Sequence, residues 1–353
     1  MIWLTWRQFR GSAAMMAAAL GVLAVALAVT GPGLASAYAA GIADCTTDNT
    51  CASFYNRFFG EYDLPFLAMT LVVLILPALI GLFWGAPLIT RELEAGTHLM
   101  VWNQSITCGR WLAVKLGLTG SAAVAAAGLC GLMVTWWSDP LDKSAAEGMA
   151  LMAPLVFSAR GIAPMGYAAF AFVLGVTVGM VVRRTLPAMA LTLAVFAAIQ
   201  LALPTMVRPH LMAPVTATFE LSMANMDSLS IPREGGESPR LFLRAAVPGH
   251  PGSWVLANAL LGPSGQVVSS GEGGTGTVIN VSSTSGPCAP GSAAAGGGDG
   301  CLGEVNRRGY RQQVTYQPLE RFWIFQWIET GIYALLTMGL ARLSFWWIRR
   351  RLS

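Results

Sequence analysis

Few side chains in this sequence are equipped for chemistry, and they are unevenly placed. The three histidines, His98, His210 and His250, lie far apart, and the only lysines are Lys115 and Lys143. Neither lysine follows a glycine run, so the backbone cradle and phosphate-reaching amine of a nucleotide-binding loop are missing. There is no HExxH pair, no GxSxG turn and no pair of aspartates within an apolar run, which removes the reacting groups of metalloproteases, serine hydrolases and intramembrane aspartyl proteases. The chain is expected to have no catalytic residue, no metal site and no bound cofactor, and so not to be an enzyme. Two carboxylate sites stand apart from this background. Glu92 and Glu94 lie in the polar stretch Ile89 to Leu116, ITRELEAGTHLMVWNQSITCGRWLAVKL, between two long apolar runs. With only basic and neutral residues expected on their side of the chain, they predict a docking surface for a basic partner. They are two apart, so on one helix they point different ways, and Arg91, three from Glu94, is placed to pair with it instead. Glu329 lies in the last apolar run, about two turns from its start by helical rise, with Gln326 one turn earlier on the same face. An ionisable group at such depth is costly and often functional, which predicts a gating or substrate role. The competing reading is helix packing, with Arg160 or Arg321 capping the acid.

These residues must be positioned by spans. Of 353 residues 54% are hydrophobic and 11% charged, with a mean hydropathy of +0.56, the profile of a polytopic membrane protein. The expected fold is all-α with six transmembrane helices, near 12–34, 64–89, 112–137, 162–182, 186–207 and 322–347. The first run exceeds a signal-peptide core and is expected to remain as a span. Before it, residues 1–11 place Ile2, Trp6 and Phe9 on one helical face, which reads equally as an interfacial helix on the inner leaflet or as an anchor for the span. Pro77 and Pro87 should bend the second span, and Gly175 and Gly179 should allow close helix packing within or between subunits.

Basic residues orient the spans. With the N-terminus inside, one side holds Arg7, Arg10, Arg91, Arg110, Lys115, Arg183, Arg184, Arg342, Arg349, Arg350 and Arg351, and the short loops opposite hold only Arg57, Lys143 and Arg160. Both termini are therefore expected in the cytosol, with 12–207 carrying spans one to five, 90–111 a cytosolic loop, and 322–353 the sixth span and tail. Residues 208–321 are too long for a connection and too polar to span. Their short runs at 241–243, 254–256, 266–268 and 278–281, punctuated by Gly, Pro and Ser, predict an inserted β-rich extracytoplasmic domain. Cys45 with Cys51, and Cys288 with Cys301, are expected as loop-closing disulfides outside the cell.

On this topology the 90–111 loop resembles that of type 2 ABC exporter permeases. The residues that carry the likeness are Arg91-Glu92-Leu93-Glu94-Ala95-Gly96-Thr97, then Gln104-Ser105-Ile106-Thr107, then Arg110-Trp111-Leu112-Ala113-Val114-Lys115-Leu116. They match the family's acidic E-x-x-x-GT element, turn and basic re-entering helix. MIWLTWRQFR resembles its interfacial connecting helix, and Arg321 to Glu329 resembles the outer start of the sixth span in actinobacterial members. The large outer domain departs from many relatives. The resemblance implies a homodimer or pseudo-dimer in the plasma membrane that works as an exporter, and the apolar spans with their single deep carboxylate fit an amphipathic or lipid-like cargo better than a sugar or ion. It further implies two copies of a separate ATPase subunit that hold ATP and magnesium, with Arg91, Glu92, Glu94, Gly96, Thr97 and Arg110 as the coupling residues. Membrane lipid is the other expected partner, and nucleic acid is not one. A membrane sensor or assembly protein, its outer domain binding a ligand, is the alternative.

Overall fold

The computed structural model describes residues 2–45, 48–96, 107–144, 149–222, 225–230, 239–270, 276–282, 285–288 and 299–351. Helix α1 (Ile2–Ala43) is followed by α2 (Asp48–Ile80), which runs through a π turn at Gly81–Gly85 into α3 (Pro87–Glu94). Next come α4 (Cys108–Ser144), the short α5 (Pro154–Ser158), α6 (Ala163–Val182), and α7 (Thr185–Ala202) with a second π turn at Leu203–Val207. A β region follows, and α9 (Phe322–Arg351) closes the chain. Among the described residues six helical segments are long and apolar enough to cross a membrane, as expected: Thr5–Ala43, Phe54–Glu94, Cys108–Ser144, Ala163–Val182, Thr185–His210 and Leu319–Arg350. Helices satisfy their own backbone groups, which is what an apolar medium demands.

Residues 2–11, expected as an interfacial helix or as an anchor for the first span, run without a break into the rest of α1. Nothing between Arg10 and Ala13 breaks the helix, and Phe9 is buried edge-on against Trp84 with ring centroids 4.7 Å apart. That contact holds the first turns in line with the span. Both π turns precede or contain a proline. Pro87 has no N–H to give to the carbonyl four residues back, and the ladder widens upstream so that Ala86 N–H donates to Gly81 O at 2.9 Å.

The bundle is built around α6, which is buried almost throughout. Its Gly175 and Gly179 meet the π turn backbone to backbone. A Cβ on Gly175 would lie 2.5 Å from Gly81 O, one on Gly85 2.5 Å from Phe172 O, and one on Gly179 2.8 Å from Ala86 O. The expected close packing is thus within the chain, and a second small-residue pair, Gly81 and Gly85, completes it. Arg183, with φ 57°, ends α6 in the left-handed region, its N–H on Gly179 O, and one extended residue later α7 begins. Helices α6 and α7 are therefore antiparallel neighbours.

The β region forms two antiparallel sheets. One has the order β1 (Val215–Phe219), β7 (Arg311–Gln317), β4 (Trp254–Leu261), β5 (Val267–Ser270), and the other β2 (Met226–Ser230), β3 (Arg240–Leu243), β6 (Thr277–Val278). The four expected runs correspond to β3, β4, β5 and β6. Helix α8 (Asp299–Arg307) packs Leu302 and Val305 with Leu241, Leu260 and the Cys288–Cys301 disulfide, whose expected pairing is present. For the expected Cys45–Cys51 pair the backbone of Cys51 lies in the first turn of α2, and its side chain lies outside what is described. The region is seated on the bundle by Met152 N–H to Gly252 O (3.0 Å), Gln317 Nε2 to Met212 O (2.7 Å), and an apolar cluster of Met152, Phe157, Phe322 and Phe325 with Trp254 and Leu319.

Gly175→Ala is expected to force the α6 seam apart, destabilising the purified protein by about 1–3 kcal/mol or more. Gly117→Ala, where a Cβ meets nothing within 4 Å, is the control and should be neutral or slightly stabilising. Apparent Tm in mild detergent separates the two.

Candidate functional site

Polar side chains gather at the two ends of the bundle. At the end where α3 leads into the 90–111 loop, α3 stops at Gly96, which takes φ 67° as its left-handed cap, with Ala95 N–H on Arg91 O at 3.1 Å. Helix α4 restarts the chain with Thr107 Oγ1 accepting from Arg110 N–H at 3.4 Å, a weak N-cap. Residues 97–106, Thr97 among them, lie outside the described residues. Arg91 and Arg110 are exposed.

The two acids of α3 are engaged within the chain. Glu92 pairs with Lys115, which is only 3% exposed and places its ammonium 4.7 Å from the centre of the Trp111 ring. Glu94 takes both donors at the start of α7: Thr185 N–H at 2.8 Å and Thr185 Oγ1 at 2.7 Å. Thr90 Oγ1, one turn earlier on α3, lies 2.9 Å from the same hydroxyl. Glu94 is thus an N-cap supplied by another helix, favoured by the positive end of the α7 dipole. Its two oxygens meet Thr185 and not Arg91, so the expected Arg91–Glu94 pair is replaced by a contact between spans.

At the β-region end, Glu329 is 3% exposed and paired with Arg208, the residue that ends span five. The pair is bidentate, with Nε to Oε2 and Nη2 to Oε1 both at 2.8 Å, and Tyr167 donates its hydroxyl to Oε1. Arg208 also reaches Ser158 Oγ at 2.8 Å and Pro154 O at 3.1 Å, and stacks over Phe157 at 4.4 Å. Gln326, fully buried, accepts Ile162 N–H and Ala163 N–H (3.1 and 2.8 Å) at the head of α6 and donates to Phe157 O (3.1 Å). Tyr333, one turn beyond Glu329, donates to Gln200 of α7.

The expected caps of Glu329 are corrected here. Arg160 instead makes a second buried pair with Asp142 (Nε to Oδ2, 3.1 Å), joined by Ser138 Oγ at 2.9 Å, and Arg321 bonds Ala213 O and Gln317. Arg160 and Asp142 flank opposite ends of the connection between spans three and four, whereas Arg208 leaves span five on the face that meets α9. Sequence reasoning missed Arg208, Tyr167, Ser158 and Asp142 at this end and Lys115 and Thr185 at the other. Arg208 had a signal: an arginine at the end of one span and an acid near the start of the next, separated only by an inserted region.

A family profile described as ABC-2 membrane transporter related matches residues 17–208. The chain belongs to this family. The match begins within span one, takes in spans two to four with α3 and α4, and stops at Arg208 near the end of span five, so the β region and α9 of this ABC-2-related protein lie beyond it. No curated protein and no solved structure gives a significant match. Permeases of the ABC-2 family normally work with an ATPase subunit, and six apolar helices make this member a multi-pass membrane protein.

Breaking the Arg208–Glu329 pair by Glu329→Ala strands a buried guanidinium and is expected to cost about 3–5 kcal/mol. The double variant Arg208→Met with Glu329→Leu should recover much of that loss. Glu304→Ala, which removes partly exposed pairs with Arg307 and Arg308, should cost about 1 kcal/mol or less. Unfolding in detergent, followed by tryptophan fluorescence, checks the order.

Proposed function

We propose that this chain is the permease subunit of an ATP-driven exporter, moved through residues 90–111 by a separate ATPase that binds ATP and magnesium. The observation that carries the reading is the family match over residues 17–208, because it includes the junction of α3, the loop and α4. The local geometry agrees with a lever. Helix α3 is bound to α4 through Glu92 and Lys115 and to α7 through Glu94 and Thr185, so a push on the loop reaches three spans.

In this reading the basic-residue distribution puts the loop and both termini in the cytosol and the β region outside, where its disulfide suits an oxidising compartment. Exposed apolar residues such as Val22 and Val29 of α1, Leu201 of α7 and Leu335 of α9 suit lipid or a second permease copy. The cargo is an amphipathic or lipid-like molecule. Residues 64–89 of the second span carry no charge and Glu329 is paired within the chain, which suits such a cargo better than a hydrophilic ion.

A heterobifunctional crosslinker on Cys108, at the first turn of α4, is expected to capture a P-loop ATPase when the chain is purified from its native membrane. Capture of a non-ATPase protein alone would favour the sensor reading. In proteoliposomes containing both subunits, Glu92→Ala with Glu94→Ala should lower ATP-driven transport more than tenfold, given about 1.5–3 kcal/mol for each charge-assisted contact. Unchanged transport and unchanged ATPase stimulation would rule out 90–111 as the coupling element.

A further inference from the structure

Span five touches both polar assemblies and is the least anchored between them. Over residues 186–207 only Ala188, Thr192, Phe196 and Pro204 are buried, a single narrow stripe at helical spacing. Its neighbour α6 is buried almost throughout. The ends of span five are held differently. Glu94 grips the first turn through the N–H and hydroxyl of Thr185, and Arg208 is clamped by Glu329, with Gln200 bonded to Tyr333 one turn deeper. At about 1.5 Å per residue, residues 185–207 reach about 34 Å, enough to join the two ends of the bundle.

A helix packed by apolar area along its full length moves only with its neighbours. One held at its two ends by directional polar contacts, and along one stripe between them, can tilt as a rod. We propose that span five is a rocker that relays displacement of α3 to the β-region end, with Glu94 as the positioning residue that grips it and the Arg208–Glu329 pair as the contact where the motion arrives. This rests on the permease reading above. Glu94 then acts by accepting hydrogen bonds inside the chain, not by presenting charge to the ATPase. The two roles have different chemistry: a glutamine at position 94 keeps the acceptor for Thr185 N–H, and the hydroxyl can reverse to accept from the new amide, while the charge is lost.

The test uses the complex of the full chain with the ATPase that co-purifies with it, in lipid nanodiscs. Met206, 72% exposed and two residues before Arg208, is changed to Met206→Cys, and its labelling by a maleimide is followed by peptide mass spectrometry with and without ATP. ATP should change the labelling rate in the otherwise wild-type chain and in Glu94→Gln. In Glu94→Ala, which loses the whole cap, and Thr185→Val, which loses its hydroxyl half, that change should shrink about fivefold while ATPase co-purification is retained. If Glu94→Gln fails like Glu94→Ala while Thr185→Val behaves as wild type, Glu94 works by charge on the partner and the proposal is overturned. A labelling rate indifferent to ATP in a complex whose ATPase is active removes the rocker but leaves the permease reading standing. If no ATPase co-purifies with the wild-type chain, the permease reading itself fails, and the relay with it.

Discussion

The bundle depends on the contact between α6 and the π turn at Gly81–Gly85. Lipid tails are as apolar as the side chains they face, so burying Leu or Val against another span gains little, and close backbone approach has to supply the attraction. Gly81, Gly85, Gly175 and Gly179 permit that approach, and α6 becomes the post on which spans two, three, five and six are hung, while α1 packs on α4. Helix α9 crosses it at Gly166, where a Cβ would sit 3.4 Å from both Thr330 and Tyr333. The same seam fixes where α3 emerges, since Ala86 and Thr90 lie against Gly179.

Charge is used sparingly and in pairs. Arg160 with Asp142 and Arg208 with Glu329 are enclosed, and each guanidinium is further supplied with a hydroxyl or carbonyl and an aromatic face. A lone ion at such a place would be expensive, and a pair offsets that cost only with good geometry. The two pairs converge on one short piece of chain. Helix α5 and its flanks are bound to α4 through Arg160, to the end of span five through Pro154 and Ser158, to α9 through Phe157 and Gln326, and to the β region through Met152. That piece therefore ties together parts of the chain far apart in sequence.

The spans were legible because uninterrupted apolar runs admit few structures in a membrane, and residues 12–34 and 162–182 have no soluble alternative. The Cys288–Cys301 pair was legible from compartment and spacing. Strands β1 and β7 were not. VTATF is short, and β7, RQQVTYQ, buries Gln312 and Gln317 where a hydrophobic pattern asks for apolar residues; Gln312 Nε2 donates there to Arg244 O and Asn258 Oδ1. Glu92 and Glu94 were recognised as special, but their partners, Lys115 and Thr185, lie 23 and 91 residues away, and helix periodicity carries no information over such distances. The contact of Phe9 with Trp84, 75 residues away, was hidden for the same reason.

The π turn at Gly81–Gly85 also has a meaning as a matter of phase. Widening one turn from four residues to five is equivalent to inserting a single residue, and in a helix of 3.6 residues per turn this rotates everything beyond it by about 100°. Helices α2 and α3 take different settings about that point: before it α2 packs on α4 and α6, and after it Thr90 and Glu94 meet Thr185 while Glu92 meets Lys115. The extra residue lets one continuous span obey two angular settings. A chain lacking it would present a different face of α3 to α7 even if every acid were kept, so the rotation of α3 matters as much as its charges.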